Sequence, residues 1–184
     1  MLKLYGGARS RASIVQWYLE ELSVPYEFIL LDMAAGEHQQ PEYLAVNPMG
    51  KVPAIEDEEL KLWESGAILL YLAEKYGKQN TSLQQRSIYY QWILFANSTL
   101  ATGLFIEANR AKEVPKLLTA LSKILARTTY ILGEEFTVAD VAVGSMLAYV
   151  PMMLPIDLTP YPVILNYIKR ISERPAFKQT IGKR

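Results

Sequence analysis

Two neighbouring segments decide the fold of this chain: Asn47-Pro48-Met49-Gly50-Lys51-Val52-Pro53-Ala54 and Leu62-Trp63-Glu64-Ser65-Gly66-Ala67-Ile68. The first predicts a loop with a cis peptide bond at Val52–Pro53, because only X–Pro bonds adopt this geometry at low cost. The second predicts a short strand that leads into a helix start at Glu64–Ser65. A helix start offers unpaired backbone N–H groups and a positive dipole end, which suit a carboxylate. Together the segments indicate a pocket for an extended, charged peptide.

The composition argues against several classes of function. The chain has 184 residues, with 19 Lys and Arg against 19 Asp and Glu. A net charge of zero shows no excess of positive charge, which binding to nucleic acid or to an anionic membrane would favour. The chain has no cysteine and a single histidine, His38. This excludes a disulfide or a catalytic cysteine and makes a metal site improbable, so we expect none.

The N-terminus and the longest apolar stretch both favour a soluble cytoplasmic protein. The chain begins directly with the strand-like Leu2–Tyr5 and lacks the basic and apolar regions of a secretory signal. The stretch Val141–Ile156 is too short to span a bilayer and contains two prolines. We therefore expect it to form a buried helix.

The first 76 residues predict a small α/β domain, because strand and helix signals follow in the order βαβ and then ββα. The predicted strands are Leu2–Tyr5, Tyr26–Leu31, Ala54–Glu56 and Leu60–Trp63. The predicted helices are Arg11–Leu22, Pro41–Val46 and Ser65–Tyr76, the last ended by Gly77.

Residues 83–184 predict an all-helical domain, which follows a polar linker at 77–82. Thr137 and Asp140 form a variant capping box in which aspartate replaces the usual glutamate. The predicted helices are Ser82–Asn109, Lys116–Leu132 with Gly133 as its stop, one that opens at Thr137, and Pro162–Ser172. The expected fold class is therefore α/β followed by all-α.

This layout resembles the cytosolic glutathione transferases over essentially the whole chain. Five motifs carry the resemblance in order: a stretch like plant phi-type members at 36–44, the loop before the cis-proline at 47–54, the glutamate–serine motif at 64–68, the helical capping motif at 136–140 and the final turn at 174–177. The class within the family stays open, since phi-like and theta-like motifs occur and the short chain is also similar to cyanobacterial chi-type members.

The resemblance implies a thioredoxin-like N-terminal domain, a helical C-terminal domain and conjugation of the glutathione thiolate to small electrophiles in detoxification and the stress response. The alternative is a non-enzymatic glutathione-binding or protein-interaction module on the same fold. A disulfide reductase or dehydroascorbate reductase uses a cysteine in its usual mechanism, and this chain has none.

The resemblance also implies a glutathione site made of His38, Gln39, Lys51, Val52, Pro53, Glu64 and Ser65. Val52 would pair through its backbone with the cysteinyl part of glutathione, as an added strand does. Glu64 would favour the γ-glutamyl ammonium, and Ser65 would bind its carboxylate. His38 and Gln39, or else Lys51, would reach the glycine carboxylate. The structural alternatives are an ordinary turn at the proline and plain helix capping at the serine.

The segment after the first strand holds the expected catalytic group. Aligned without gaps on Tyr5–Gly6, Ser10 takes the place of the catalytic serine of phi-like members. Aligned on the later helix, Arg9 or Arg11 falls there instead. Our hypothesis is that Ser10 donates a hydrogen bond to the sulfur and Arg11 assists by charge. The structural alternative for Ser10 is a helix cap.

The electrophile is expected between the two domains, at Ala8, Phe95 and Phe105. The short connector expected at Asn109–Pro115 indicates an open pocket for small electrophiles such as isothiocyanates, activated aryl halides and peroxides. The family further implies a homodimer, with glutathione as the co-substrate.

Overall fold

The computed structural model describes residues 1–77 and 82–183. The chain divides into two compact units, Met1–Asn80 with Gln179–Arg184, and Thr81–Lys178. The C-terminal segment thus groups with the first unit, because its 3-10 turn Ile181–Lys183 packs against the first helix. Most of the predicted linker, residues 78–81, lies outside the described residues.

The first unit is built on a four-stranded mixed sheet with strand order β2-β1-β3-β4. β1 pairs in parallel with β2 and antiparallel with β3, which pairs antiparallel with β4. The strands are β1 Leu2–Gly7, β2 Tyr26–Leu31, β3 Ala54–Asp57 and β4 Leu60–Trp63. β1 and β3 run further than predicted, because the pairing continues through Gly6 and Gly7 in β1 and to Asp57 in β3.

Three helices complete this unit: α1 Ala12–Leu22, α2 Pro41–Leu44 and α3 Ser65–Tyr76. α1 packs against α3. A separate small core lies under α2, where Tyr43, Val46 and Ala54 are buried. Gly77 does not take the left-handed conformation expected of a helix-ending glycine, since its φ is −65°. Glycine is needed here for a different reason: the backbone lies so close to α3 that an added Cβ would be 2.2 Å from the carbonyl oxygen of Ala73.

The second unit is helical in its described part. Its helices are α4 Leu83–Leu94, α5 Ala101–Phe105, α6 Glu107–Leu125, α7 Val138–Met153 and α8 Pro162–Ser172, followed by a short α9 at Pro175–Gln179. α7 is the central element and is buried from Val138 to Val150. Across residues 1–77 and 82–183, no helix has the length and apolar character needed to cross a membrane.

The single helix predicted over Ser82–Asn109 is wrong in two places. A π-helical turn, Phe95–Leu100, separates α4 from α5. The helix then ends at Ile106, whose extended backbone has a ψ of 110°. The Asn97 amide donates to the carbonyl of Ile93, and the Ser98 hydroxyl donates to that of Leu94. These side-chain bonds satisfy carbonyl groups where the regular ladder is disturbed.

The predicted connector Asn109–Pro115 is also wrong, because these residues lie inside α6. Pro115 is exposed, and a proline there removes one backbone hydrogen bond without ending the helix. α6 ends at Leu125, well before the predicted stop at Gly133. A short connector therefore gives no reason to expect an open pocket for the electrophile.

The variant capping box at the start of α7 is confirmed. The Thr137 hydroxyl accepts from the amide of Ala139, and the Asp140 carboxylate accepts from the amide of Thr137. Asp140 is buried and also accepts from the Ile131 amide at 2.8 Å and the Tyr167 hydroxyl at 3.0 Å. Burial raises the pKa of Asp140, and these hydrogen bonds oppose that rise.

Candidate functional site

The register of the sheet brings three predicted site segments to one edge. Ala54, the first residue of β3, pairs with Tyr5 near the end of β1 and with Trp63 at the end of β4. The dipeptide Val52–Pro53 therefore lies beside the points where β1 and β4 end. The loop that contains Ser10 follows one of these strands, and Glu64 follows the other.

The Val52–Pro53 peptide bond is cis, as the sequence predicts. Among the described residues, no hydrogen bond reaches the backbone N–H or C=O of Val52. The preceding carbonyl, that of Lys51, is held from inside by the Tyr43 hydroxyl at 2.5 Å and the Asn47 amide at 2.7 Å. The loop is thus fastened at Lys51 and leaves the Val52 backbone groups for pairing with an added strand.

The start of α3 presents a strained glutamate next to a buried serine. Glu64 is exposed and has φ 70° and ψ 118°, a conformation that side chains other than glycine rarely adopt. Such strain concentrates at ligand sites, where the surrounding structure holds it in place. Ser65 is buried and is the first residue of the helix. Its position brings the N–H groups and positive dipole end of α3 to this edge.

The Ser10 hydroxyl organises the loop between β1 and α1. Its Oγ accepts from the amide of Gly7 at 3.2 Å and from the amide of Ala12 at 3.3 Å. These two hydrogen bonds connect the end of β1 to the start of α1 through Ser10. Arg9 has φ 57°, and the side chains of Arg9 and Arg11 are exposed. Arg11 is the N-cap of α1 and makes no side-chain cap hydrogen bond.

The residues predicted for the glycine carboxylate differ in their surroundings. Gln39 donates through Nε2 to the carbonyl of Gly50 at 3.2 Å, which ties it to the loop just before Lys51. His38 lies in the same 3-10 turn, Glu37–Gln39, and its Nδ1 is buried without a hydrogen-bond partner in the structure. Lys51 is exposed. The contact of Gln39 with Gly50 brings Gln39 close to Lys51, the residue that follows Gly50.

Tyr5 is not arranged to activate a thiol. It lies within β1, and its hydroxyl donates a hydrogen bond to the Glu56 carboxylate. Burial raises the pKa of Tyr5, and the hydrogen bond and charge of Glu56 raise it further. The phenol therefore stays protonated, with its proton held by Glu56.

The predicted electrophile residues fall in separate parts of the chain. Ala8 is exposed in the loop after β1. Phe95 begins the π-helical turn and makes an edge-to-face contact with Trp92 at 5.5 Å, and Phe105 ends α5. Both phenylalanines are half-buried. Their common role in electrophile binding stays a prediction.

Sequence reasoning missed the residues that hold the site in shape. Tyr43 and Asn47 fasten the Lys51 carbonyl, and both stand within motifs that the sequence analysis quoted. Asp57 accepts from three side chains of α3 and so fixes the hairpin to the helix that carries Ser65. Asp57 is one of four consecutive acidic residues, Glu56 to Glu59, and nothing in the sequence singles it out for this role, which only the packing reveals.

Family models match both parts of the chain. Residues 1–74 match the N-terminal domain of glutathione S-transferases, and residues 91–184 match their C-terminal domain. The glutathione S-transferase GstB of Escherichia coli K12 is 32% identical, with 98% of each chain covered. A disulfide-bond oxidoreductase, YfcG, of the same organism is 31% identical over 100% of this chain and 95% of its own.

Solved structures agree with these matches. A glutathione transferase of Phanerochaete chrysosporium, in complex with oxidized glutathione, superposes with a TM-score of 0.84 at 27% identity, covering 99% of this chain and 95% of that one. Glutathione transferase E6 of Drosophila melanogaster gives 0.84 at 27% identity, covering 100% and 92%. The fold and site define a thioredoxin-like glutathione-binding protein with a helical domain. The chain belongs to the cytosolic glutathione S-transferase family, and it is a glutathione transferase.

Proposed function

We propose that this glutathione transferase binds its co-substrate at the sheet edge formed by β1, β3 and β4. The backbone of Val52, positioned by the cis bond to Pro53, pairs with the cysteinyl residue of glutathione as an added strand does. Ser65 and the start of α3 bind the γ-glutamyl carboxylate, and Glu64 binds its ammonium. The single observation that carries this proposal is the unpaired Val52 backbone beside that helix start.

The glycine carboxylate of glutathione lies, in this proposal, at the other end of the same site. His38, Gln39 and Lys51 supply its donors, and the contact between Gln39 and Gly50 supports their grouping. The Nδ1 atom of His38 has no protein partner in the structure, so a ligand carboxylate would supply one.

Catalysis in this proposal consists of stabilising the thiolate of bound glutathione. A free thiol has a pKa of about 8.5 and is only a few per cent ionised at pH 7. A downward shift of about two units requires roughly 2.7 kcal/mol of preference for the anion. One hydrogen bond to a charged group is worth about 1.5–3 kcal/mol, so a single donor accounts for most of this shift. Ser10 is that donor, and the exposed guanidinium of Arg11 assists by charge.

Kinetics of the Ser10→Ala and Arg11→Ala variants test this assignment. With an activated aryl halide as substrate, kcat/KM of Ser10→Ala at pH 6.5 should fall by about 10- to 100-fold, since a lost charged hydrogen bond costs roughly 1.5–3 kcal/mol. The difference in kcat/KM between Ser10→Ala and the wild type should become smaller at high pH, where the glutathione thiol ionises without help from the protein. Ser82→Ala is the matched control, because Ser82 caps α4 through the same kind of contact. Wild-type rates in both Ser10→Ala and Arg11→Ala would contradict the assignment of thiolate stabilisation to these two residues.

The substrate class in this proposal is small, reactive electrophiles such as isothiocyanates, aryl halides and peroxides, which would give the protein a detoxifying role. Ala8, Phe95 and Phe105 are the residues assigned to the electrophile. Both phenylalanines are half-buried, so part of each ring is available to an apolar ligand. The cytoplasm is the proposed location, since it supplies reduced glutathione.

We further propose a homodimer that buries α4. Three large apolar side chains of this helix are exposed, Leu83 by 65%, Ile88 by 42% and Leu94 by 63%. A partner subunit packed on α4 would cover these side chains, and Leu83 and Leu94 lie close to one line along the helix. The double variant Ile88→Glu with Leu94→Glu should run as a monomer in light scattering, whereas the wild-type chain should run as a dimer. A monomeric wild-type chain would contradict this assembly.

Thiol–disulfide exchange is a second candidate activity of the same site, favoured by the relative that is named a disulfide-bond oxidoreductase. This chain has no cysteine, so two glutathione molecules would supply both thiols. One glutathione thiolate attacks the substrate disulfide, forms a mixed disulfide and releases the first substrate thiol. The second glutathione thiolate attacks the glutathione sulfur of that mixed disulfide, which releases the second substrate thiol and forms oxidized glutathione. Glutathione-dependent reduction of hydroxyethyl disulfide tests this activity, and a rate equal to the uncatalysed one would remove it.

A further inference from the structure

The end of β1 is covered by a side chain from the loop that follows β2. Gly7, the last residue of β1, is buried, although the next two residues, Ala8 and Arg9, are exposed. A Cβ added at Gly7 would lie 2.5 Å from the Cγ atom of Met33 and 3.0 Å from its sulfur. The Met33 side chain therefore occupies the space that a side chain at position 7 would need.

The backbone around Met33 is fastened by its own loop. The Asp32 carboxylate accepts from the amides of Ala34 at 2.9 Å and Ala35 at 3.0 Å. The Glu37 carboxylate accepts from the Asp32 amide at 2.7 Å. These hydrogen bonds hold the backbone on both sides of Met33, and with it the start of the side chain that packs on the end of β1.

Gly7 and Ser10 are joined by two hydrogen bonds. The amide of Gly7 donates to the Ser10 hydroxyl oxygen at 3.2 Å, and the amide of Ser10 donates to the Gly7 carbonyl at 3.2 Å. The position of Gly7 thus sets the position of both the backbone and the hydroxyl group of Ser10. A shift of Gly7 would therefore carry Ser10 with it.

We propose that Met33 is a positioning residue for the transferase reaction. Its side chain packs on Gly7 and keeps that residue in place, and Gly7 in turn holds the Ser10 hydroxyl where it donates to the glutathione sulfur. Methionine suits this place, because its unbranched side chain fills irregular gaps such as the one beside a residue without a Cβ. The inference rests on the proposed role of Ser10, and Met33 needs no contact with glutathione to fulfil it.

The variants Met33→Ala and Met33→Leu of the full chain test the proposal. Met33→Ala should raise the apparent pKa of the bound glutathione thiol by about 0.5 or more and lower kcat/KM at pH 6.5 about threefold or more, since each unit of pKa changes the thiolate fraction roughly tenfold. Met33→Leu should keep the wild-type values, because leucine and methionine have similar volumes. Met152→Ala is the matched control, because Met152 is an exposed methionine near the end of α7.

Gly7→Ala tests the contact from its other side and stays informative if Met33→Ala folds poorly. In the chain with Met33, the new Cβ must displace the methionine, so the same rise in the thiol pKa is expected. In the Met33→Ala background, the nearest remaining atom is the carbonyl oxygen of Leu31 at 3.9 Å, an ordinary contact distance. Gly7→Ala should then add nothing, because the two substitutions act on one contact.

Ser10→Ala, titrated in the same assay, separates this inference from the proposed function. A thiol pKa that rises in Ser10→Ala but not in Met33→Ala would overturn the positioning role alone. A wild-type chain whose bound thiol has the pKa of free glutathione would overturn both. Equal effects of Gly7→Ala in the two backgrounds, or a rise in Met33→Leu as large as that in Met33→Ala, would also overturn the role of this contact.

Discussion

Asp57 fastens the β3–β4 hairpin to α3, and its replacement by asparagine tests how strongly this contact supports the fold. The buried carboxylate accepts from the hydroxyls of Tyr71 at 2.8 Å and Tyr76 at 2.6 Å, and from the ammonium of Lys75 at 2.9 Å. All three donors lie on α3. Since α3 begins with Ser65, the contact also supports the proposed glutathione site.

The expected cost follows from the two tyrosine hydrogen bonds. A hydrogen bond to a charged group is worth about 1.5–3 kcal/mol, and one between neutral groups about 0.5–1.5 kcal/mol. Neutralising the acceptor of both hydroxyls should therefore lower the free energy of unfolding by about 2–3 kcal/mol. The ammonium of Lys75 is left out of this sum, because its charge is screened by water. For a chain of this size, the melting temperature should fall by roughly 4–12 °C.

The pH dependence gives a second signature. Burial alone would raise the pKa of Asp57, but the hydrogen bonds from Tyr76, Lys75 and Tyr71 outweigh it and hold the pKa below its usual range. An unfolded aspartate titrates near pH ~3.9. The stabilisation is therefore present above about pH 4 and is lost as the pH falls through the lower pKa of the folded state.

Thermal unfolding of wild-type protein and the Asp57→Asn variant, at pH 7 and below pH 4, measures both effects. The difference in stability should be largest at pH 7 and should shrink in acid. Glu59→Gln is the matched control, because Glu59 is an exposed acid in the same turn and should change stability by less than about 0.5 kcal/mol. An Asp57→Asn variant as stable as the wild type at pH 7 would show that the Asp57 carboxylate does not hold the β3–β4 hairpin to α3.

Two further substitutions test separate parts of the account. Glu64→Gly should stabilise the fold by about 1–2 kcal/mol in denaturant unfolding, because glycine tolerates a φ of 70°. The same variant should raise KM for glutathione, since the side chain proposed to bind the ammonium is lost. Unchanged stability would show that the backbone of Glu64 is unstrained. Asp140→Ala should cost about 3–5 kcal/mol in the same assay, because the Ile131 amide and the Tyr167 hydroxyl lose a buried acceptor. A cost below about 1 kcal/mol would contradict that role.

The sequence could predict elements whose limits depend on local chemistry. β2, β4, α3 and α8 have the predicted bounds, because alternation, capping residues and prolines act within a few positions. The sequence could not predict the π-helical turn at Phe95–Leu100, since it involves side chains that bond to carbonyl groups one turn earlier. The connector predicted to end at Pro115 was also wrong, because packing of the long helix α6 outweighs the loss of one backbone hydrogen bond at the proline.

The candidate site divides in the same way. The cis bond at Val52–Pro53 could be predicted, since only proline makes it accessible at low cost. The φ of 70° at Glu64 could not, because nothing local favours that conformation in a glutamate. The fastening of the Lys51 carbonyl by Tyr43 and Asn47 likewise depends on how the loop packs on α2.

We expect the loop around Ser10 to stabilise the thiolate of bound glutathione. Titration of the bound thiol against pH, followed by thiolate ultraviolet absorbance at saturating protein, tests it most directly. We predict an apparent pKa about two units below the value of roughly 8.5 for a free thiol, and a return most of the way toward that value in Ser10→Ala. Bound glutathione with an unshifted pKa would contradict the claim and would leave a protein that binds the tripeptide without activating it.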